Sequence, residues 1–260
     1  MPAERLIAGT GGTRRHALRV LRDPLPWTLL ALLGLTFGMD RLRPLFAAAF
    51  PALERPLYEQ DSFAALLWSH LWIVATSSTI AVAAGMALGV LVTRAAGRPF
   101  RPTLETLVAI GQTFPPVAVL ALAVPLLGFG ARPAVVALAL YGLLPVVRAT
   151  IAGIEAVPAD VREAALGVGL RSVQTLWAVE LPLALPIALG GVRTSVIINI
   201  GTAAIASAVG ARTLGSPIIV GLGGFNMAYV IQGAVLVALL AIATDMLFAR
   251  LQRQLARHHA

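Results

Sequence analysis

The side chains that usually perform chemistry are scarce in this sequence. All 20 basic residues are arginines, so a P-loop lysine, a Schiff-base lysine and a lysine general base are excluded together. There is no cysteine, which removes disulfides, thiolate nucleophiles and Cys-ligated metals and says nothing about compartment. Four histidines remain, with His258 and His259 in the tail, and their spacing gives no zinc site. Any ATP must therefore be hydrolysed by another chain, and the chemistry left to this one is recognition. Its clearest candidate is the run from Glu163 to Pro182, E-A-A-L-G-V-G-L-R-S-V-Q-T-L-W-A-V-E-L-P, a mostly water-compatible segment between apolar stretches. Glu163, Ala164 and Ala165 start a helix-favouring run and Gly169 can take backbone conformations closed to other residues. A second helical run begins at Val173 and ends at Leu181-Pro182, so the expectation is a short helix, a bend and a second helix. Ala164 and Ala165 would let another backbone come close, while Asp160, Arg162 and Glu163 offer charge to a partner. An ordinary loop between two membrane helices has the same composition.

The elements that must position this run are set by composition. With 260 residues, 58% hydrophobic, 12% charged and a mean hydropathy of +0.85, the chain has too little polar surface for a water-soluble globule and belongs in a bilayer. Charge-free runs predict an all-α polytopic membrane protein of about six transmembrane helices. The first, Pro24 to Met39, reads as a retained anchor in preference to a signal peptide, because Asp40, Arg41, Arg43 and Pro44 separate it from the cleavage-site-like Ala47-Ala48-Ala49. The others are Ser62 to Thr93, Thr106 to Ala131, Pro133 to about Ile154, Pro186 to about Val209 and Met227 to Phe248. Gly85-x-x-x-Gly89 offers a packing face. Trp68 and Trp72, one turn apart, read either as an aromatic cage or as an interfacial belt. Thr113-Phe114-Pro115-Pro116 must kink or break the third span, because two successive prolines remove two backbone donors. Broken membrane helices are tolerated where freed carbonyls meet protein or a water-filled path, so Gln112, Thr113, Pro115 and Pro116 are pathway candidates, with a plain kink as the alternative. Gly210 to Asn226, with five glycines and Pro217, reads as a re-entrant or gate-like segment.

Six spans put both termini on one side. Fourteen arginines (5, 14, 15, 19, 22, 94, 98, 101, 148, 162, 171, 250, 253 and 257) then share that side with the Glu163 to Pro182 run. Five (41, 43, 55, 132 and 212) fall opposite, and Arg193 lies inside the fifth span. The positive-inside rule makes the arginine-rich side, and with it the Glu163 to Pro182 run, cytoplasmic. The net charge of +8 fits anionic-lipid contact, with no patch suited to nucleic acid.

Glu163-Ala164-Ala165, then Gly169, nine residues, Val179, one residue and Leu181-Pro182 resemble the EAA loop of ABC importer permeases, with Val179 where that family usually has isoleucine. The resemblance extends to Gly111 through Leu120, Val192 through Thr202, and Gly224-Phe225-Asn226 leading to Ile231 through Ala234. There the chain is similar to permeases of osmoprotectant importers, most closely the Yeh-type glycine betaine permeases and more broadly the ProW and OpuB ones. The resemblance implies that Glu163, Ala164, Ala165, Gly169, Val179, Leu181 and Pro182 belong to a coupling helix docking on an ABC ATPase, which alone binds ATP and magnesium. It also implies a second permease copy or paralogue, a periplasmic or lipid-anchored binding protein, and a bacterial inner-membrane location. Residues 1–23 would be a cytoplasmic basic tail and residues 24–260 the permease domain, with its coupling loop at 155–182. Asn199 and Thr202 on the fifth span could line the path, yet such side chains serve helix packing as often. An ion-coupled carrier or channel remains the alternative, weakened because no Asp or Glu lies in the middle of any expected span.

Overall fold

In the computed structural model, residues 23–258 are described, and the described residues contain helices and connecting turns with no strand. The basic tail before Asp23 lies outside them. Helix α1, Pro24–Gly38, starts where the Asp23 carboxylate accepts from the Leu25 N–H at 3.2 Å and two prolines supply the first turn's fixed φ. A 3-10 turn, Met39–Leu42, and α2, Arg43–Ala49, follow. Helix α3 is Phe63–Thr93, α4 is Arg101–Thr113 and α5 is Pro116–Leu127. Next come α6, Ala131–Glu155, the short α7, Ala159–Gly167, and α8, Ser172–Ala203. After a 3-10 turn, Ile205–Val209, the chain ends with α9, Ser216–Gly223, and α10, Met227–His258.

Four of these, α3, α6, α8 and α10, are long and apolar enough to cross a membrane, and α4 with α5 makes a fifth if the pair is one span. That pair turns through 94°, sharper than the interrupted span expected over Thr106 to Ala131. The turn falls at Phe114-Pro115, where the backbone is extended as residues preceding a proline prefer. Where the first span was expected over Pro24 to Met39, the helix runs 15 residues and stops at Gly38, about 22 Å of helix against a hydrocarbon core of about 30 Å. It packs on α10 and α3, and an Arg250–Asp23 ion pair ties its start to the far part of α10.

Helix α6 is the centre, packed between α3 and α8. Small residues set the spacing. A Cβ at Gly85 would lie 2.8 Å from Val146 Cβ, and one at Gly89 would lie 2.7 Å from Thr150 Cβ, so the G-x-x-x-G face is the α3–α6 contact. On the other side Gly153 meets the Ala184 carbonyl, where an added Cβ would sit 2.8 Å away. Backbones this close exchange dispersion contacts that larger side chains would prevent, which is how apolar helices associate in a solvent as apolar as themselves.

The directions of the helices separate two ends of the bundle. Helix α7 joins the finish of α6 to the start of α8, whereas α9 joins the finish of α8 to the start of α10. At the α9 end the loop before α3 is pinned by α10. Gln232, fully buried, accepts from the Tyr58 N–H at 3.1 Å and donates to the Pro56 carbonyl at 2.7 Å. Burial, then the neighbouring Asp61 carboxylate, push the Tyr58 phenol up to about 12, so it remains a donor to Asp61 at 3.3 Å. The segment expected to be gate-like is α9 and its flanks, laced by Ser207, Thr213 and Ser216 through hydroxyl contacts of 2.8 and 3.2 Å.

Candidate functional site

Helix α7 closes in a way that only its sequence allows. The Gly169 N–H donates to the Leu166 carbonyl at 3.0 Å and the Leu170 N–H to the Ala165 carbonyl at 3.1 Å, the paired bonds of a Schellman motif. That motif needs a left-handed residue, and Gly169 sits at φ +90°. The first turn is held from below. The Arg162 guanidinium donates to the Val157 carbonyl at 2.6 Å, just past the end of α6, where orphan carbonyls and the helix dipole favour a cation. Arg162, expected to offer charge to a partner, is thus engaged within the chain.

Glu163, Ala164 and Gly169 lie on the exposed side, Ala165 is buried, and Val179 and Leu181 are half-buried. Leu166, Val168, Val173 and Trp177 add exposed apolar surface, with Val168 at 80% exposure. This elbow therefore presents a ridge of small and apolar groups rimmed by Asp160 and Glu163, which is a docking surface in kind.

The second helical run does not end at Leu181-Pro182. It continues as α8 to Ala203, and the proline is absorbed by one π turn, Leu176–Glu180. Pro182 has no N–H and its ring would clash with the carbonyl four residues earlier; the wider turn moves that carbonyl aside, and the Leu181 N–H reaches back to Leu176. Glu180, the last residue of the turn, is buried, and its carboxylate meets the Arg94 guanidinium at 2.7 Å. Sequence reasoning missed this pair. The available signal was a carboxylate set among apolar residues directly before Leu-Pro, and an arginine just past α3.

The pathway candidates at the break serve each other. Pro145 in α6 lacks the N–H that would bond the Tyr141 carbonyl, and the Gln112 amide donates to that carbonyl at 2.6 Å. In return the Tyr141 hydroxyl donates to the Phe114 carbonyl at the break. Two proline defects on neighbouring helices are thereby locked together. Thr113, beside them, donates to the Ile110 carbonyl in its own helix at 2.7 Å, while Pro115 is exposed and Pro116 half-buried. Asn199 is fully buried and donates to Ser78 at 3.0 Å and Ser77 at 3.4 Å, bridging α8 to α3, while Thr202 is half-buried near the end of α8. Beside this bridge a largely apolar cavity of about 510 Å³ opens between α3, α8 and α10, with Ser78, Val196 and Thr244 in its wall.

Arg193 also finds its partner inside the bundle. Its guanidinium donates twice to Asp245 of α10, both at 2.7 Å, and once to Gln252 at 3.2 Å. A bidentate pair of this kind removes most of the penalty of placing an arginine in a span. Trp68 and Trp72 are 72% and 65% exposed on the flank of α3, where they enclose nothing and suit an interfacial belt. Among the described residues no cluster of His, Asp or Glu has the geometry to hold a metal.

Residues 61–257 match the profile of a family described as the binding-protein-dependent transport system inner membrane component. The osmoprotectant import permease protein OsmY of Salmonella typhimurium strain LT2 is 40% identical over 231 residues, 89% of this chain and 98% of that protein. The glycine betaine/carnitine/choline transport system permease protein OpuCB of Bacillus subtilis strain 168 is 39% identical over 185 residues, 71% of this chain and 84% of its own length. Among solved structures, a chain of the methionine ABC transporter MetNI in an inward-facing conformation superposes with a TM-score of 0.64 at 25% identity, over 72% of this chain and 93% of that one.

Proposed function

The chain belongs to the family of binding-protein-dependent transport system inner membrane components and is a permease of an ABC importer for osmoprotectants; from that premise we propose how it is coupled and what it carries. It is a transport component rather than an enzyme. The α7 elbow docks on a separate ATPase subunit that holds ATP and magnesium. A solute-binding protein delivers to the opposite end, beside α9, and a second permease copy or paralogue completes the path. The solute is a quaternary amine such as glycine betaine or choline, whose fixed positive charge suits a path along helices such as α3 and α10 that hold no arginine in their central parts, and Arg193 of α8 is neutralised by Asp245. Both chain ends lie in the cytoplasm of a bacterial cell with α7, in keeping with the Asp23–Arg250 pair that draws the start of α1 to the later part of α10.

The observation that carries this reading is the elbow itself. A short helix closed by a left-handed glycine is tied at its first turn to the chain leaving α6 through Arg162, and the π turn that follows it is tied to α3 through Glu180, yet the outer ridge stays open. A loop that only linked two spans would need neither tether. When ATP closes the paired ATPases, the elbow is displaced and the bundle turns between inward and outward openings. The test is reconstitution of the permease with its ATPase and binding protein in proteoliposomes. Glycine betaine or choline uptake must require hydrolysable nucleotide and the binding protein; a rate unchanged when nucleotide is omitted would identify an ion-coupled carrier instead.

A further inference from the structure

The π turn at Leu176–Glu180 raises a mechanical question. It sits at the base of α8, between the elbow and the membrane portion of the helix, and Pro182 and Pro186 take two more donors from the same stretch. A helix with a widened turn and missing hydrogen bonds bends there rather than passing a displacement along its axis. A lever built this way would lose its stroke at the joint unless something bridged it. Glu180 supplies the bridge. It closes the π turn, its side chain is only 7% exposed, and it reaches across to Arg94 at 2.7 Å. Arg94 caps the end of α3 and also donates to Thr93 Oγ1 at 3.0 Å, which fixes its direction. Back from Arg94, α3 runs along the bundle seated against α6 at backbone distance by Gly89 and Gly85, which resists bending there.

We propose that the Glu180–Arg94 ion pair is the pin through which movement of the α7 elbow passes into α3, making Glu180 a positioning residue for solute translocation. The pair lies behind the docking ridge, so it takes no part in holding the ATPase. Helix α3 also forms one wall of the 510 Å³ cavity, through Leu71, Val74, Ser78 and Val82. Motion delivered to its inner end therefore reshapes that cavity directly. Removing one partner leaves the other charge without its counter-ion at the joint, and the π turn becomes a free hinge.

The inference rests on α7 being the ATPase contact, and the experiment separates the two. The complete transporter carrying Glu180→Gln, Arg94→Gln, or the exchange Arg94→Glu with Glu180→Arg is placed in proteoliposomes with its binding protein. ATP hydrolysis, radiolabelled glycine betaine uptake and thermal unfolding are measured on the same preparations. Each single substitution is expected to retain the ATPase subunit and its hydrolysis while solute delivered per ATP falls about tenfold, within the usual span of coupling strengths. The charge exchange is expected to recover at least about a third of that ratio. An unchanged ratio in both single variants overturns the proposal. So does a loss that tracks lowered thermal stability and is not recovered by the exchange, which would make the pair structural only. Failure of the docking premise looks different, since Gly169→Val would then leave uptake intact.

Discussion

At the scale of single residues, Gly169 separates space from conformation. A Cβ there would meet nothing within 4 Å, so no steric neighbour forbids a side chain; only the φ of +90° does. The expected order of ATP-driven uptake is therefore Gly, then Asn, then Ala, then Val. Asn tolerates left-handed backbone, Ala adds about 1–2 kcal/mol of strain, and a β-branched residue there is an outlier. Equal membrane abundance across the series, with uptake falling in that order, is the check; a loss that followed side-chain volume instead would point to a clash. Arg162→Ala should remove the cap on the Val157 carbonyl and lower thermal stability by about 1–2 kcal/mol, measurable as a shift in melting of the purified protein. The Gln112–Tyr141 exchange makes a third case. Gln112→Leu orphans the Tyr141 carbonyl, four residues before Pro145, and Tyr141→Phe orphans the Phe114 carbonyl, directly before Pro115, so a double-mutant cycle should return an interaction of about 0.5–2 kcal/mol. A pair without interaction would free Gln112 for a purely solute-facing role.

At the scale of elements, the helix break and the packing face on α3 were legible in the sequence, because both follow from backbone chemistry within a few residues, whereas the choice of α6 as that face's partner was not. Pro115-Pro116 cannot continue a helix, and Gly85 with Gly89 leaves a groove wherever a second helix lies alongside. The first helix of the elbow and its bend were legible too, since Ala164, Ala165 and Gly169 mark them locally, whereas its far side runs through Leu181-Pro182 to Ala203. What the sequence hid were the answers supplied by distant partners. Gln112 meets a carbonyl 29 positions away and Asn199 a hydroxyl 121 positions away, so both read as unclaimed polar groups free to line a path. Pro182 read as a helix end because its missing N–H is a local fact, whereas the π turn that absorbs it forms only in the fold, beside a buried Glu180 paired with Arg94 of a distant segment. The charge at Arg193 was visible and its neutralisation by Asp245 was not, for the same reason. Gly89→Leu puts this reasoning to use. With Thr150 Cβ 2.7 Å from where the new Cβ would stand, α3 must move off α6, and the variant should lose about 1–3 kcal/mol of stability together with transport. Retained transport and melting would mean that the two helices slide past each other freely.

At the scale of the whole molecule, the two ends of the bundle must face different compartments for any of this to work, and the sequence provides a clean means to ask. With no native cysteine, a single introduced thiol carries the entire labelling signal. Val168, 80% exposed on the docking ridge, and Arg212, whose side chain is 77% exposed near α9, mark opposite ends. Val168→Cys should react with a membrane-impermeant maleimide in inside-out vesicles and not in right-side-out ones, and Arg212→Cys should do the reverse. Arg212 holds only a long contact to Asp61 at 3.6 Å on an exposed surface, worth at most about 1 kcal/mol, so its replacement should leave the fold intact. Adding the ATPase subunit should then protect Val168→Cys and leave Arg212→Cys unaffected, because the ridge is covered only by docking on that side. Reaction of both thiols from one face would refute the orientation, and a Val168→Cys rate indifferent to the ATPase would remove the elbow from the interface while leaving the helix count untouched.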